Sequence, residues 1–254
     1  IYSHGYGVKQ DYKKALKYFE KSAEQGLAEA QYNMGFFNYE GKIVQQDYKK
    51  AIEWYKKSAS QGFGLAKYNL GNMYANGYGV KQDYKIAIEW LEKAANQNIL
   101  EAQHNLGVMY RDEIGVKQDY KKAIEYFQKA ANQDFAESQH NLGAMYANGY
   151  GVKQDYKIAI EWLEKAANQN ILEAQHNLGV MYRDEIGVKQ DYKKAIEYFQ
   201  KAANQDFAES QYNLGVMYAN GYGVKQDYKI AKELYKKACD GGIQIACYHY
   251  RLLN

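Results

Sequence analysis

The chain has 254 residues, with 33 basic side chains against 30 acidic ones and a net charge of +3. That balance leaves no electrostatic footprint for nucleic acid, and the lysines recur along the whole chain instead of gathering in one stripe. Tyrosine is abundant at 28 and proline is absent, so there is no Pro-rich linker, and no apolar run approaches the length of a bilayer span.

From the N-terminus onward one string punctuates the chain. QDYK begins at Gln10, Gln46, Gln82, Gln118, Gln154, Gln190 and Gln226, always 36 residues apart. Residues 76–147 return as 148–219 with two changes only, His140 to Tyr212 and Ala144 to Val216. A fixed period of this size marks a stacked repeat array, in which each unit buries its apolar face against its neighbours. The expected organisation is therefore one array over 1–254.

Ile1-Tyr2 aligns with Met73-Tyr74, so the chain is expected to open at the end of a helix whose earlier part is missing, as in a trimmed or mature fragment. Two helices per unit follow. The first type, B, is expected near 11–24, 47–60, 83–96, 119–132, 155–168, 191–204 and 227–240. The second, A, is expected near 28–39, 64–75, 100–111, 136–147, 172–183, 208–219 and 244–253. In the unit around residue 100, Ala102, Leu106, Val108, Met109 and Tyr110 recur at helical spacing with polar Gln103 and Asn105 between them. Helix B carries Ala123, Ile124, Phe127 and Ala130 on one face and lysines and glutamates on the other.

Asp83, Asp119 and their relatives are suited to cap helix B. Helix B stops at Gly26, Gly62 or Gly242, and in the middle units at Asn98, Asp134, Asn170 or Asp206, the residue types that best tolerate a left-handed backbone. Helix A ends in a glycine turn such as Asn76-Gly77-Tyr78-Gly79, with Val80 as the plug. In the alternate turn, Arg111-Asp112-Glu113-Ile114-Gly115, the first glycine is missing and Asp112 or its neighbour must take its place. A mid-helix glycine costs roughly 1 kcal/mol against alanine. Its return at Gly35, Gly71, Gly107, Gly143, Gly179 and Gly215 predicts close approach of the next helix.

These residues carry a resemblance. Ala66, Leu70, Gly71, Tyr74, Gly77, Gly79, Val80, Asp83, Tyr84, Ala87, Trp90, Ala94 and Ala95 form a pattern similar to the Sel1-like repeat, in seven units over essentially the whole chain. Departures are Met34 for the leucine, Asn38 for the tyrosine, and Glu113 and Glu185 for the first turn glycine. The resemblance implies an all-α, right-handed α/α solenoid of helical hairpins like a tetratricopeptide array, with A helices lining an inner groove. It implies an adaptor in protein assemblies, and for some members an immunity partner of a toxin.

Arg251 falls where earlier A helices have glycine, so 244–253 reads as a C-terminal cap facing solvent. Cys239 and Cys247 flank the last turn, and a hairpin would bring them within bridging range. Cys239 alone could simply replace the core alanine seen at Ala203, but Cys247 replaces a glutamine, Gln211, which packing explains poorly. The spacing is similar to that of the Helicobacter cysteine-rich branch of Sel1-like proteins. A bridge would place the protein in an oxidising compartment, periplasmic or secreted, with the cytoplasm as the alternative.

No GxSxG, HExxH or Gly-Lys-Ser/Thr ending is present, so no catalytic residue, metal ligand or cofactor is expected. His104, His140 and His176 share one helix A slot with Tyr32, Tyr68 and Tyr212, and adjacent helix axes ~8–10 Å apart keep such histidines from one ion. The next slot holds Asn33, Asn69, Asn105, Asn141, Asn177 and Asn213. In tetratricopeptide arrays an asparagine here faces the groove and binds a ligand's backbone amides. The same side chains could instead tie neighbouring repeats together. Tyr32, Tyr68, Tyr212, Arg111 and Arg183 would supply anchors around them. The expected partner is a protein or an extended peptide, without nucleic acid or membrane insertion. A toxin-neutralising immunity protein, or a consensus array with no native partner, are the alternatives.

Overall fold

The structure, a computed structural model, describes residues 12–253. The expected helix end at Ile1-Tyr2 and the first capping aspartate, Asp11, lie outside them. Contacts divide the chain into two compact units, Ile1–Ala130 and Ala131–Asn254.

The first unit holds α1 (Tyr12–Glu24), α2 (Ala28–Glu40), α3 (Tyr48–Ser60), α4 (Gly64–Asn76), α5 (Tyr84–Ala95), α6 (Leu100–Asp112) and α7 (Tyr120–Ala131). The second holds α8 (Ala136–Asn148), α9 (Tyr156–Asn168), α10 (Leu172–Arg183), α11 (Tyr192–Ala203), α12 (Ala208–Asn220), α13 (Tyr228–Asp240) and α14 (Gln244–Leu252). Odd-numbered helices are the B type and even-numbered ones the A type. Each boundary agrees with the sequence expectation to within one residue. Among the described residues there is no strand.

The punctuation is chemical. Asp47, Asp83, Asp119, Asp155, Asp191 and Asp227 each accept the backbone N–H of the third residue onward at 3.0 Å, which satisfies one orphan donor of the B helix. Asn98, Asp134, Asn170 and Asp206 hold φ between 59° and 66°, doing what Gly26, Gly62 and Gly242 do elsewhere. In the glycine-poor turn it is the neighbour and not Asp112 that goes left-handed, with φ of 59° at Glu113 and 58° at Glu185. Both glutamates are exposed, and the helix-ending N–H of Glu113 still reaches the Met109 carbonyl.

In the first unit Ala51, Ile52, Tyr55, Leu70 and Met73 form one buried cluster, with Val80 against it as the plug. In the second, Leu163, Ala166, Leu178 and Met181 do the same. The mid-helix glycines are contact points for the next B helix. A Cβ on Gly71 would stand 2.7 Å from Leu91 Cγ, and one on Gly179 would stand 2.6 Å from the Phe199 ring. Arg251, at the corresponding place in α14, is exposed.

One tie was not expected. Gln103, which the sequence pattern sets among the polar positions, is only 1% exposed. Its amide donates to the Ala95 carbonyl at 3.1 Å, back across the turn to the end of the preceding B helix. Gln31, Gln175 and Gln211 do the same to Ala23, Ala167 and Ala203. Each glutamine thus staples its own hairpin shut over an eight-residue separation and satisfies a carbonyl that helix geometry leaves open. In the last hairpin, positions 239 and 247 occupy these two places. There the Cys239–Cys247 disulfide, with Cα atoms 4.7 Å apart, replaces the hydrogen bond by a covalent one.

Candidate protein-binding face

Every A helix from α2 to α12 carries its Tyr or His at the fifth residue and its Asn at the sixth. In five of these six helices the fourth residue is a buried glutamine, Lys67 of α4 being the exception, and in all six the seventh is a buried Leu or Met. Tyr32, Tyr68, His104, His140, His176 and Tyr212, with Asn33, Asn69, Asn105, Asn141, Asn177 and Asn213, are consequently all half-buried. They form the edge between core and solvent.

The rings point toward the next B helix. Tyr32 lies 5.8 Å from Tyr55 and His104 5.7 Å from Phe127 in the first unit, and Tyr212 lies 5.8 Å from Tyr235 in the second. His176 packs on Phe199 at 5.6 Å and on Phe207 at 5.3 Å, and its Nδ1 pairs with Ser210 Oγ at 2.9 Å. Burial pushes the His176 pKa down, partly offset by Glu209. The unfolded chain therefore binds the proton more readily, so this group's share of stability is complete above the ordinary histidine pKa. It is lost as pH falls through the lower folded value. His176→Tyr, which installs the residue found at Tyr212, should flatten the acid limb of a urea-midpoint-against-pH curve.

The asparagines join A helices. Asn105 Nδ2 donates to Asn72 Oδ1 at 3.1 Å between α6 and α4. In the second unit Asn177 Nδ2 meets His140 Nε2 at 3.3 Å, and Asn213 Oδ1 accepts from Arg183 Nη1 at 2.6 Å. Repeat-to-repeat ties are thus one of their roles. An amide has two donor hydrogens and an acceptor with two lone pairs, so one such bond leaves capacity for a ligand.

Arg111 and Arg183 lie 5.8 Å over the Phe127 and Phe199 rings and bind Asp112 and Asp184 at 2.7 and 2.6 Å. The Arg183 hydrogen bonds hold the Asp184 carboxyl below its usual range. The carboxylate side chains are 41% exposed, so these pairs position the guanidinium more than they add stability.

Each unit has an open cleft on this row. In the first it is lined by Tyr32, Phe36, Tyr39, Tyr55, Tyr68, Asn69 and Asn72 and encloses about 240 Å³. In the second, Ala144, Ala147, Leu163, His176, Asn177 and Val180 line the corresponding one, of about 400 Å³. Among the described residues no group of three or more His, Cys, Asp or Glu could hold a metal ion, and no helix is long and apolar enough to cross a membrane.

Helical hairpins that present a ring and an amide from each A helix define an all-α repeat protein of the solenoid class. The chain belongs to the Sel1 repeat family, whose pattern matches residues 1–27, 28–63, 64–99, 100–135, 136–171, 172–207 and 208–243 and so leaves α14 beyond the last repeat. A protective antigen present in uropathogenic Escherichia coli strains, displaying an SLR fold, is 36% identical over 92% of this chain at a TM-score of 0.91. The chain spans 50% of that protein. A Sel1 repeat protein from Oxalobacter formigenes is 33% identical, covering 91% of this chain and 94% of its own, with a TM-score of 0.80. Helicobacter pylori cysteine rich protein B is 29% identical over 52% of this chain and 95% of its own, at a TM-score of 0.42. No curated protein sequence matches significantly. Sel1 repeats are in general non-catalytic protein-interaction scaffolds.

Proposed function

We propose that this chain is a non-catalytic adaptor that holds a protein or an extended peptide along the A-helix face. The observation that carries the reading is the pair of open clefts, one per unit, lined at the same repeat positions by the half-buried rings and amides. Side-chain amides offer donor and acceptor together, which suits a peptide main chain, and half-buried rings supply contact area at little entropic cost. The B helices carry lysines stacked on their own neighbours, such as Lys57 over Trp54 at 4.3 Å and Lys165 over Trp162 at 4.0 Å. Those rings are already covered. The Cys239–Cys247 bridge supports an oxidising location, periplasmic or secreted. Affinity capture with the intact chain as bait should recover a polypeptide partner that nucleic acid and lipid vesicles do not displace at physiological salt. Displacement by nucleic acid would sink the reading.

A further inference from the structure

Arginine recurs at one place in the array, and its surroundings recur where the arginine does not. Arg183 lies over the Phe199 ring, donates to Asn213 Oδ1 at 2.6 Å and binds the Asp184 carboxylate. Moving 144 residues back through the repeat, Tyr55 stands for Phe199, Asn69 for Asn213 and Glu40 for Asp184, but Tyr39 stands for Arg183. Ring, amide and carboxylate are all present in the first unit without the guanidinium that the chain itself supplies elsewhere.

Tyr39 does not fill the gap over Tyr55. Its ring pairs instead with Tyr48 at 5.5 Å and Tyr78 at 6.1 Å, and the cleft of about 240 Å³ remains beside it. Phe36 and Tyr39 also depart from the array, which has only Asn, Val or Ala and only Ala or Arg at these two positions in the following A helices through α12. The hairpin fold therefore does not demand them. Phe36 is 41% exposed. Tyr55 is 1% exposed, and its hydroxyl is, among the described residues, the one buried side-chain polar atom with no hydrogen-bond partner. The Asn69 amide lies beside it and offsets part of the upward push that burial gives its pKa, without forming a bond of standard geometry. The hydroxyl so stays protonated and able to accept from a guanidinium N–H. Glu40 is paired at 2.6 Å with Lys42, whose side chain is 80% exposed, a pair that an incoming cation can share. No lysine or arginine lines the cleft.

We propose that this tyrosine-lined cleft takes an arginine side chain from a partner polypeptide, in the place the array fills with Arg183 in its second unit. A planar guanidinium can lie against one of the cleft's tyrosine rings while its N–H groups donate to the Asn69 amide oxygen and the Tyr55 hydroxyl, which a lysine ammonium cannot match. The proposal rests on the A-helix face being the binding face and names the chemistry that this part of it selects.

The test is an NMR titration of the whole chain, followed at the tyrosine rings, with acetyl-Gly-Arg-Gly-amide and with the same peptide carrying neutral citrulline. Saturable shifts with the arginine peptide and binding about tenfold or more weaker with citrulline are expected. Tyr39→Arg installs the array's own arginine and should abolish binding with helicity unchanged. Tyr55→Phe, which removes only the unpartnered hydroxyl, should weaken it and gives a second reading should Tyr39→Arg not fold. Equal binding of the two peptides, no saturable binding, or wild-type binding by a folded Tyr39→Arg chain would overturn the proposal. A chain that fails here yet still loses its captured partner on substitution of the A-helix asparagines would lose only this inference.

Discussion

Replacing Cys239 and Cys247 together by serine is expected to cost about 2–3 kcal/mol, the loss that chain-entropy reasoning assigns to a loop this short. The change should concentrate at the C-terminal end. The bridge holds α14 to the end of α13, and Ala246 is the buried residue that α14 contributes to that last cluster. Hydrogen exchange should accelerate in α14 before it does in α12. A second variant sharpens the reading. Cys239→Ala with Cys247→Gln installs the pair that five other hairpins use, as where Gln211 donates to the Ala203 carbonyl at 3.3 Å. It should regain about 1 kcal/mol of the loss, the net worth of one hydrogen bond. If the serine and alanine–glutamine variants melt alike in urea, the staple and the bridge are not equivalent devices.

Gly179→Ala is expected to destabilise, although helix propensity alone would favour it by about 1 kcal/mol. The added carbon would stand 2.6 Å from two atoms of the Phe199 ring, which is fully buried and cannot swing aside. Overpacking of this kind costs about 1–3 kcal/mol before any relaxation, and the backbone of α10 or α11 must move to accommodate it. We expect a net loss of up to about 2 kcal/mol in urea unfolding. The same change at Gly115, a turn glycine at φ 70°, would carry two costs, a left-handed backbone and a Cβ that runs into the Tyr84 side chain. A stabilised Gly179→Ala protein would show that the close approach is not what keeps glycine in the helix.

Much of this was legible in the sequence because the signals were local. A capping aspartate, a left-handed Asn or Asp at a helix end and a core ring eight residues after the cap, as Phe199 follows Asp191, each act within one repeat, and period 36 multiplies every such signal. The glutamine staple was not legible. Its acceptor is a backbone carbonyl, which no side-chain pattern marks, so Gln103 reads only as a polar position although it is buried. That the asparagines could tie neighbouring repeats was legible, but which partner each one takes was not. Asn177 meets a histidine, Asn105 another asparagine and Asn213 an arginine. One residue type at one register position takes three different partners, and only their placement in space reveals that. The sequence left the left-handed residue open between Asp112 and its neighbour because glutamate has no intrinsic preference for that conformation; the turn settles it on Glu113.

The claim that the A-helix face binds the partner is tested most directly by comparing two variants as bait in affinity capture. One carries alanine at Asn105, Asn141 and Asn177; the other carries glutamate at Lys57, Lys93 and Lys165 on the B helices. Because Asn105 and Asn177 also tie neighbouring A helices, circular dichroism accompanies both. Capture should fall severalfold or more for a helical triple-alanine chain and stay intact for the lysine variant. Capture lost in the lysine variant and kept in the alanine one would place the site on the B-helix face and contradict the account.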